Sequence, residues 1–264
     1  MPFKYNDNLK YFTFESLTEY GVINAIFTRR GGSSSAPWDS LNVGGTVGDD
    51  PARVIENRKR AFRALGQSFD SVYDVWQVHG NDVICAHAPR KPNTPYVQAD
   101  AILTGNKNVT LFMRFADCVP ILLYDPHRKI VGLVHAGWQG TLKKVASIAV
   151  DSMQAQYGSS RGEILACIGP SIGAHHYEIG MEIVKEVQES FGQYASSLLQ
   201  SNNVTSGGSG IQLDLWEANR LILAESGVKQ IEISGICTAC DTSDWYSHRA
   251  EYGRTGRFGA LIAL

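Results

Sequence analysis

Three segments of the 264-residue chain carry the side chains best suited to chemistry. In Gln77-Val78-His79-Gly80 a histidine ends a β-rich run, beside a glycine that lets another group approach the backbone. In Ala116-Asp117-Cys118-Val119-Pro120 a thiol lies between two apolar runs with an acid beside it. In Val134-His135-Ala136-Gly137-Trp138-Gln139-Gly140-Thr141 a strand is expected to end in His135, cross a Gly-rich turn and enter a helix. Two imidazoles and a thiolate match the ligand preferences of zinc or copper. Three protein ligands leave a fourth position open, the pattern of a catalytic zinc site; a structural one is closed by four. Without a metal, Cys118 would be a thiolate nucleophile with His135 or His79 as its base. Asp117 is placed to move a proton or, on equal terms, to cap backbone N–H groups. The turn at 136–141 offers N–H groups to an anion such as phosphate, with Thr141 as a candidate helix cap. Each segment also has an ordinary reading, since core histidines are often simply hydrogen-bonded and buried cysteines pack as small hydrophobes. Spacings of 39 and 17 residues do not by themselves bring the three ligands together.

Two other patterns are weaker. Cys237 and Cys240 form a CxxC, which reads as a redox pair, half a zinc site or packing under the last strand. A zinc site would need two more ligands at matching spacing, and the sequence offers none in an evident place. His175 and His176 are adjacent, and on an extended segment neighbours point to opposite faces. Joint chelation by that pair is not expected, and His176 is the one placed to reach a pocket.

The elements that must position these residues alternate between strand and helix. Val72–Val78, Val83–Ala86, Val109–Phe115, Val119–Tyr124, Ile130–His135, Ile164–Ile168, Gln230–Ile236 and Phe258–Leu264 read as strands. Ala52–Leu65, Leu142–Tyr157, Met181–Phe191 and Leu215–Glu225 read as helices, with Pro51 and Asp214 as start signals. Ser201 to Gly210 (SNNVTSGGSG) reads as a mobile surface loop between a helix and a strand. The class is therefore α/β or mixed α+β, in one domain spanning 1–264, with strand order unreadable. The chain has 44% hydrophobic and 19% charged residues, ordinary globular chemistry, and is long enough to bury close to three quarters of its unfolded surface. A net charge of −2 gives no global attraction for nucleic acid or anionic membrane. No apolar run approaches a membrane-spanning length, and the opening residues lack an apolar signal core, so a cytoplasmic protein is expected. Five cysteines are an odd and sparse set, against a disulfide scaffold.

The segments QVHGNDV, ADCVPILLYDP, GLVHAGWQGTL, IGPSIGAHHYEIG and CTACDTSDWYSHR…GRTGRFGALIAL occur in that order. Thr28–Gly32 (TRRGG), Ser40–Gly44 (SLNVG) and Asn57-Arg58 precede them. From about Phe27 to the C-terminus the chain resembles the laccase-domain family, also called polyphenol oxidase-like or peptidoglycan editing factor (YfiH-like) proteins. The resemblance implies a mixed β-sandwich covered by helices. It implies a metal, mostly zinc and in some members copper, on His79, Cys118 and His135. It also implies phosphorolysis of adenosine, inosine, guanosine and methylthioadenosine, and deamination of adenosine. On that reading Arg58 and the N–H groups of Trp138 to Thr141 hold the anion, and Asn42 holds the ribose or a water beside the metal. The partners would be purine nucleosides and phosphate, with the protein a monomer or small homo-oligomer.

Two departures from the family pattern stand out. Gln139 replaces an arginine in HAGWRGT, which removes a bidentate phosphate partner if that side chain faces the site. At the C-terminal motif Arg249 is kept and Ala250 replaces a second arginine. Other readings compete with the nucleoside enzyme. A copper oxidase of phenols suits two histidines and a cysteine, but seven histidines with no HxH pair cannot build a multicopper cluster. A metal-free Cys-His hydrolase would suit amide chemistry in peptidoglycan editing. A metal-binding interaction module would turn over nothing.

Overall fold

The computed structural model describes residues 2–201 and 209–264. In chain order the strands are β1 (Phe3–Asn6), β2 (Leu9–Phe12), β3 (Ile23–Phe27), β4 (Val72–Tyr73), β5 (Val83–Cys85), β6 (Ala101–Thr104) and β7 (Thr110–Phe115). They continue with β8 (Val119–Asp125), β9 (Ile130–Ala136), β10 (Leu165–Ile168), β11 (Leu199–Ser201), β12 (Ile211–Leu213), β13 (Gln230–Ile233) and β14 (Phe258–Ala263). The helices are α1 (Glu15–Thr18), α2 (Pro51–Ala64), α3 (Trp138–Leu142), α4 (Val145–Tyr157), α5 (Met181–Phe191), α6 (Ala195–Leu198) and α7 (Leu215–Glu225).

Strand β8 shows why the sheets stack. Every residue of it is buried, with Leu122 and Tyr124 in one apolar cluster and Ile121 and Leu123 in another. Side chains alternate along a strand, so a run apolar at both parities must be covered on both faces. One face meets a second sheet. The site-bearing sheet has the order β13-β10-β8-β9-β6-β5, and the sheet behind it β1-β2-β3-β14-β7-β4. Leu122, Leu133 and Leu165 from the first pack with Met113, Phe258 and Ile262 from the second. Helices α4, α5 and α7 cover the outer face of the first sheet, and Ala61 and Phe62 of α2 cover the outer face of the second. The result is a mixed α/β fold in four layers, the arrangement the resemblance implies.

Helix starts follow the sequence signals. Pro51 opens α2 and the Asp50 carboxylate accepts the N–H of Ala52 at 2.8 Å. Asp214 caps α7 by accepting from Glu217 N at 2.9 Å. Other expectations need correction. The run Val72–Val78 forms a strand only at Val72–Tyr73, with one isolated bridge from Trp76 to Gln98, so His79 sits in a loop. The expected helix Leu142–Tyr157 starts at Val145, and Leu142 instead ends the short α3, with Lys144 between them in left-handed conformation (φ 60°). Gly137, not Thr141, is the N-cap of α3. Thr141 lies inside that helix, buried, where its Oγ1 accepts from Asn219 Nδ2 at 3.0 Å. The N-terminal strands and β6 were not expected from the sequence. Of the expected loop at Ser201–Gly210, residues 202–208 lie outside the described residues. Among the described residues no helix is long and apolar enough to cross a membrane.

Leu133 sits fully buried on β9, two residues before His135. Leu133→Ala should cost about 2–5 kcal/mol of stability, read as a lower denaturation midpoint with an unchanged m-value.

Candidate active site and metal centre

The β8–β9 hairpin closes the 17-residue gap. Its register pairs Val119 with Ala136 and Pro120 with His135, so Cys118 stands beside the end of β9. His79 arrives from the other side. Strand β6 pairs with β9 at Ala101 and Val134, which sets Asp100 opposite His135, and His135 N–H donates to Asp100 O at 2.7 Å. The fully buried Asp100 carboxylate then gathers the loop that bears His79. Its Oδ2 accepts from Val78 N at 3.2 Å and Gly80 N at 2.7 Å, and its Oδ1 from His79 N at 3.1 Å. Three successive N–H groups converging on one anion form a nest and hold His79 at a φ of 58°. The same Oδ1 lies 2.7 Å from His135 Nδ1. A carboxylate only accepts, so Nδ1 carries the proton and Nε2 is left for a ligand.

The donor atoms of His79, Cys118 and His135 lie within 4.8 Å of one another, with Cys118 Sγ 3.8 Å from His79 Nε2. A tetrahedral zinc with its usual bond lengths would set N and S about 3.6 Å apart. A Cβ on Gly137 would come within 2.9 Å of Cys118 Sγ and 3.0 Å of His79 Cδ2, so the glycine keeps this space clear. The donors, the carboxylate behind His135 and the clear space fit one metal ion with an open position. They do not fit a multicopper cluster. Of the other histidines, His127 pairs with Glu163 at 3.3 Å, His175 and His176 belong to a separate cluster, and His248 lines both cavities without joining this donor group.

The electrostatics are those of a coupled pair. Burial by itself would lower the pKa of His135, but the Cys118 thiolate and the Asp100 carboxylate outweigh it and raise it to about 9. Burial likewise opposes ionisation of Cys118, yet His135, with help from His79, draws the thiol down to about 6. Asp100 is held below the usual carboxylate range because the His135 and backbone hydrogen bonds overcome its burial.

Two cavities meet at this cluster, sharing His79, Cys118 and His248 in their walls. The larger, about 610 Å³, is lined also by Arg58, Trp76, Tyr96, Arg114 and Arg257. The smaller, about 400 Å³, is lined by Asp117, Trp138, Gln139, Tyr177 and Arg249. The expected anion contacts are therefore separated: Arg58 faces one cavity, Trp138 and Gln139 the other, and Thr141 neither. Gln139 is exposed, so its replacement of arginine bears on the smaller cavity alone. Asn42 is fully buried away from both. Its amide donates to Asp49 Oδ2 at 2.8 Å and its Oδ1 accepts from Gly44 N and Arg257 N, which makes it a loop fastener. Asp117 does the same work beside Cys118: Oδ1 accepts from the Thr238 hydroxyl and Oδ2 from Arg249 N, both at 2.7 Å.

Sequence reasoning missed Asp100, His248 and Arg257. Asp100 had no motif of its own, and the strand it precedes, β6, was not expected from the sequence. It also missed that His175, His176, Cys237 and Cys240 come together.

The profile of the family described as multi-copper polyphenol oxidoreductase laccase matches residues 23–264. A purine nucleoside phosphorylase, YlmD, of Bacillus subtilis is 37% identical over 251 residues, covering 92% of this chain and 88% of the relative. A purine nucleoside phosphorylase of Deinococcus radiodurans is 36% identical over 244 residues, covering 92% and 89%. The crystal structure of the hypothetical protein YfiH of Bacillus licheniformis superposes with a TM-score of 0.90 at 32% identity, covering 100% of this chain and 99% of that one.

Asp100→Asn should weaken zinc binding by roughly 10–100-fold in competition with a chromophoric chelator. In metal-free protein the thiolate of Cys118 exists above its depressed pKa, so alkylation by iodoacetamide should be half-maximal near pH 6. A free thiol would reach that point near pH 8.5, and added zinc should suppress the reaction.

Proposed function

The chain belongs to the multi-copper polyphenol oxidoreductase laccase family, and from that premise we propose that it is a zinc-dependent purine nucleoside phosphorylase acting at the His79–Cys118–His135 centre. Relatives named purine nucleoside phosphorylase support a nucleoside phosphorylase role. The observation that carries the reading is that this centre opens on a cavity with a surplus of arginine. Arg58, Arg90 and Arg114 gather around the one acid Asp74, at 3.9, 2.8 and 3.3 Å. Burial, and after it the neighbouring Arg58 charge, push the Arg114 guanidinium down to about 10. Arg257, whose Nη1 is fixed by the carbonyls of Gly256 and Thr255, adds a further cation on the wall. Such a cavity draws phosphate into a protein whose net charge would not.

In phosphorolysis a phosphate oxygen forms a bond to C1′ of the ribose while the C1′–N9 bond breaks. The purine leaves with the electron pair and takes a proton. Arg58 and Arg257 would hold the phosphate for that approach. Trp76, 46% exposed on the cavity wall, gives the purine a face to stack on. His248, which lines both cavities at their junction, is placed to give the proton to the departing base. His79, Cys118 and His135 would hold zinc, which when bound supplies Lewis-acid polarisation and a water acidified toward a pKa of about 7. Adenosine, inosine, guanosine and methylthioadenosine share the purine and ribose that this site addresses. Deamination of adenosine at C6 is a second reaction of the same cavity.

One observation favours a different reading. Asp100, His135 and Cys118 line up as acid, base and low-pKa thiol, the series of a cysteine hydrolase. Turnover kept by metal-free protein and abolished by alkylation of Cys118 would favour that alternative.

The test is chromatographic. Zinc-loaded protein given adenosine and phosphate should yield adenine and ribose 1-phosphate. Arg257→Ala should raise KM for phosphate by at least tenfold, and His248→Ala should lower kcat by roughly 100-fold with the zinc content unchanged. No base release from any of the four nucleosides by the zinc-loaded protein would overturn the proposal.

A further inference from the structure

A second His/Cys cluster lies apart from the site just described. His175 and His176 occupy a 3₁₀ turn over Ala174–His176, and Cys237 and Cys240 the loop after β13. Their ligand atoms all fall within 4.8 Å of one another. His175 Nε2 is 3.0 Å from Cys240 Sγ, and His176 Nδ1 is 3.6 Å from both Cys237 Sγ and Cys240 Sγ. The expectation that neighbouring histidines diverge assumed an extended backbone. A 3₁₀ turn has three residues per turn, which sets successive side chains about 120° apart and lets both rings reach one point. The ring centroids are 4.7 Å apart.

We propose that His175, His176, Cys237 and Cys240 form a second, structural zinc site. Around a tetrahedral zinc, N and S ligand atoms stand about 3.6 Å apart and two sulfurs about 3.8 Å apart, and two of the three N···S separations here already have that length. Two thiolates with two imidazoles are a borderline-soft, four-donor set that leaves no open position, which selects zinc in a structural role. The surroundings support the charge. Gly173 N–H donates to Cys237 Sγ at 3.2 Å, and that sulfur is on the one buried ligand of the four. A Cβ at Gly173 would lie 2.7 Å from the His175 ring and 3.3 Å from Cys237 Cβ, so the glycine is what allows the two segments to meet.

The site also has something to hold. One stapled segment sends Ile172 N–H to Asp117 O at 3.0 Å, and the other sends the Thr238 hydroxyl to Asp117 Oδ1. Both therefore grip the residue next to Cys118. The second ion would act as a positioning element for the first site while touching no substrate.

The experiment uses the full chain, purified anaerobically and loaded with zinc. Elemental analysis should find two zinc ions per chain in the wild type, one in Cys118→Ala, one in Cys237→Ser/Cys240→Ser and none in the triple variant. Cobalt(II) replacing zinc in Cys118→Ala should give thiolate-to-cobalt charge-transfer absorption with the strong visible bands of a tetrahedral ion. This second measurement holds even if the double serine variant fails to fold. No zinc in Cys118→Ala, or no thiolate charge transfer in its cobalt-loaded form, would overturn the proposal. Neither measurement depends on nucleoside turnover, so the two proposals stand or fall separately.

Discussion

Everything at the centre depends on one buried carboxylate. An isolated carboxylate in a protein interior is strongly disfavoured, and Asp100 is stable there because three backbone N–H groups and the His135 ring N–H converge on its two oxygens. The same four bonds fix the tautomer of one histidine and the unusual backbone of the other. A carboxylate just before β6 thus positions two donor side chains that arrive on different segments, and the β8–β9 hairpin supplies the third.

The division of labour among the surrounding polar groups follows from burial. Asn42, Asp117 and Thr141 have their hydrogen-bonding capacity taken up by neighbouring backbone and side chains, so they hold loops in shape. Arg58 and Arg114 on the wall of the larger cavity share the acid Asp74 with Arg90 behind it. The three donor side chains stand where two cavities meet, with His79 and Cys118 in the walls of both.

Much of this was legible in the chain. The doubly apolar runs at Val119–Tyr124 and Ile130–His135 implied buried strands, although their pairing, which sets Cys118 beside His135, was not readable from the 17-residue spacing. The three donors could be named from residue type. What could not be read was the arrival of His79, because its loop is set by a nest around Asp100 and by no periodic pattern. Asn42 was assigned to the ribose or a water and Thr141 to the anion-facing turn, and only the packed structure shows both side chains engaged with neighbours. The convergence of His175 and His176 was not foreseen because a local 3₁₀ turn replaces the extended backbone that the surrounding residues suggest. Gln139 stood out against the family pattern, yet the split between cavities takes it away from the arginine-lined wall.

The account rests on metal-dependent transfer of a ribosyl group to phosphate, and phosphorus NMR of one protein sample follows that transfer directly. Protein stripped with a chelator, then restored with zinc, would be observed with adenosine and phosphate. The account predicts a growing ribose 1-phosphate signal in the restored sample and none in the stripped one. Equal ribose 1-phosphate in both samples, or adenine released with the phosphate signal unchanged, would contradict it.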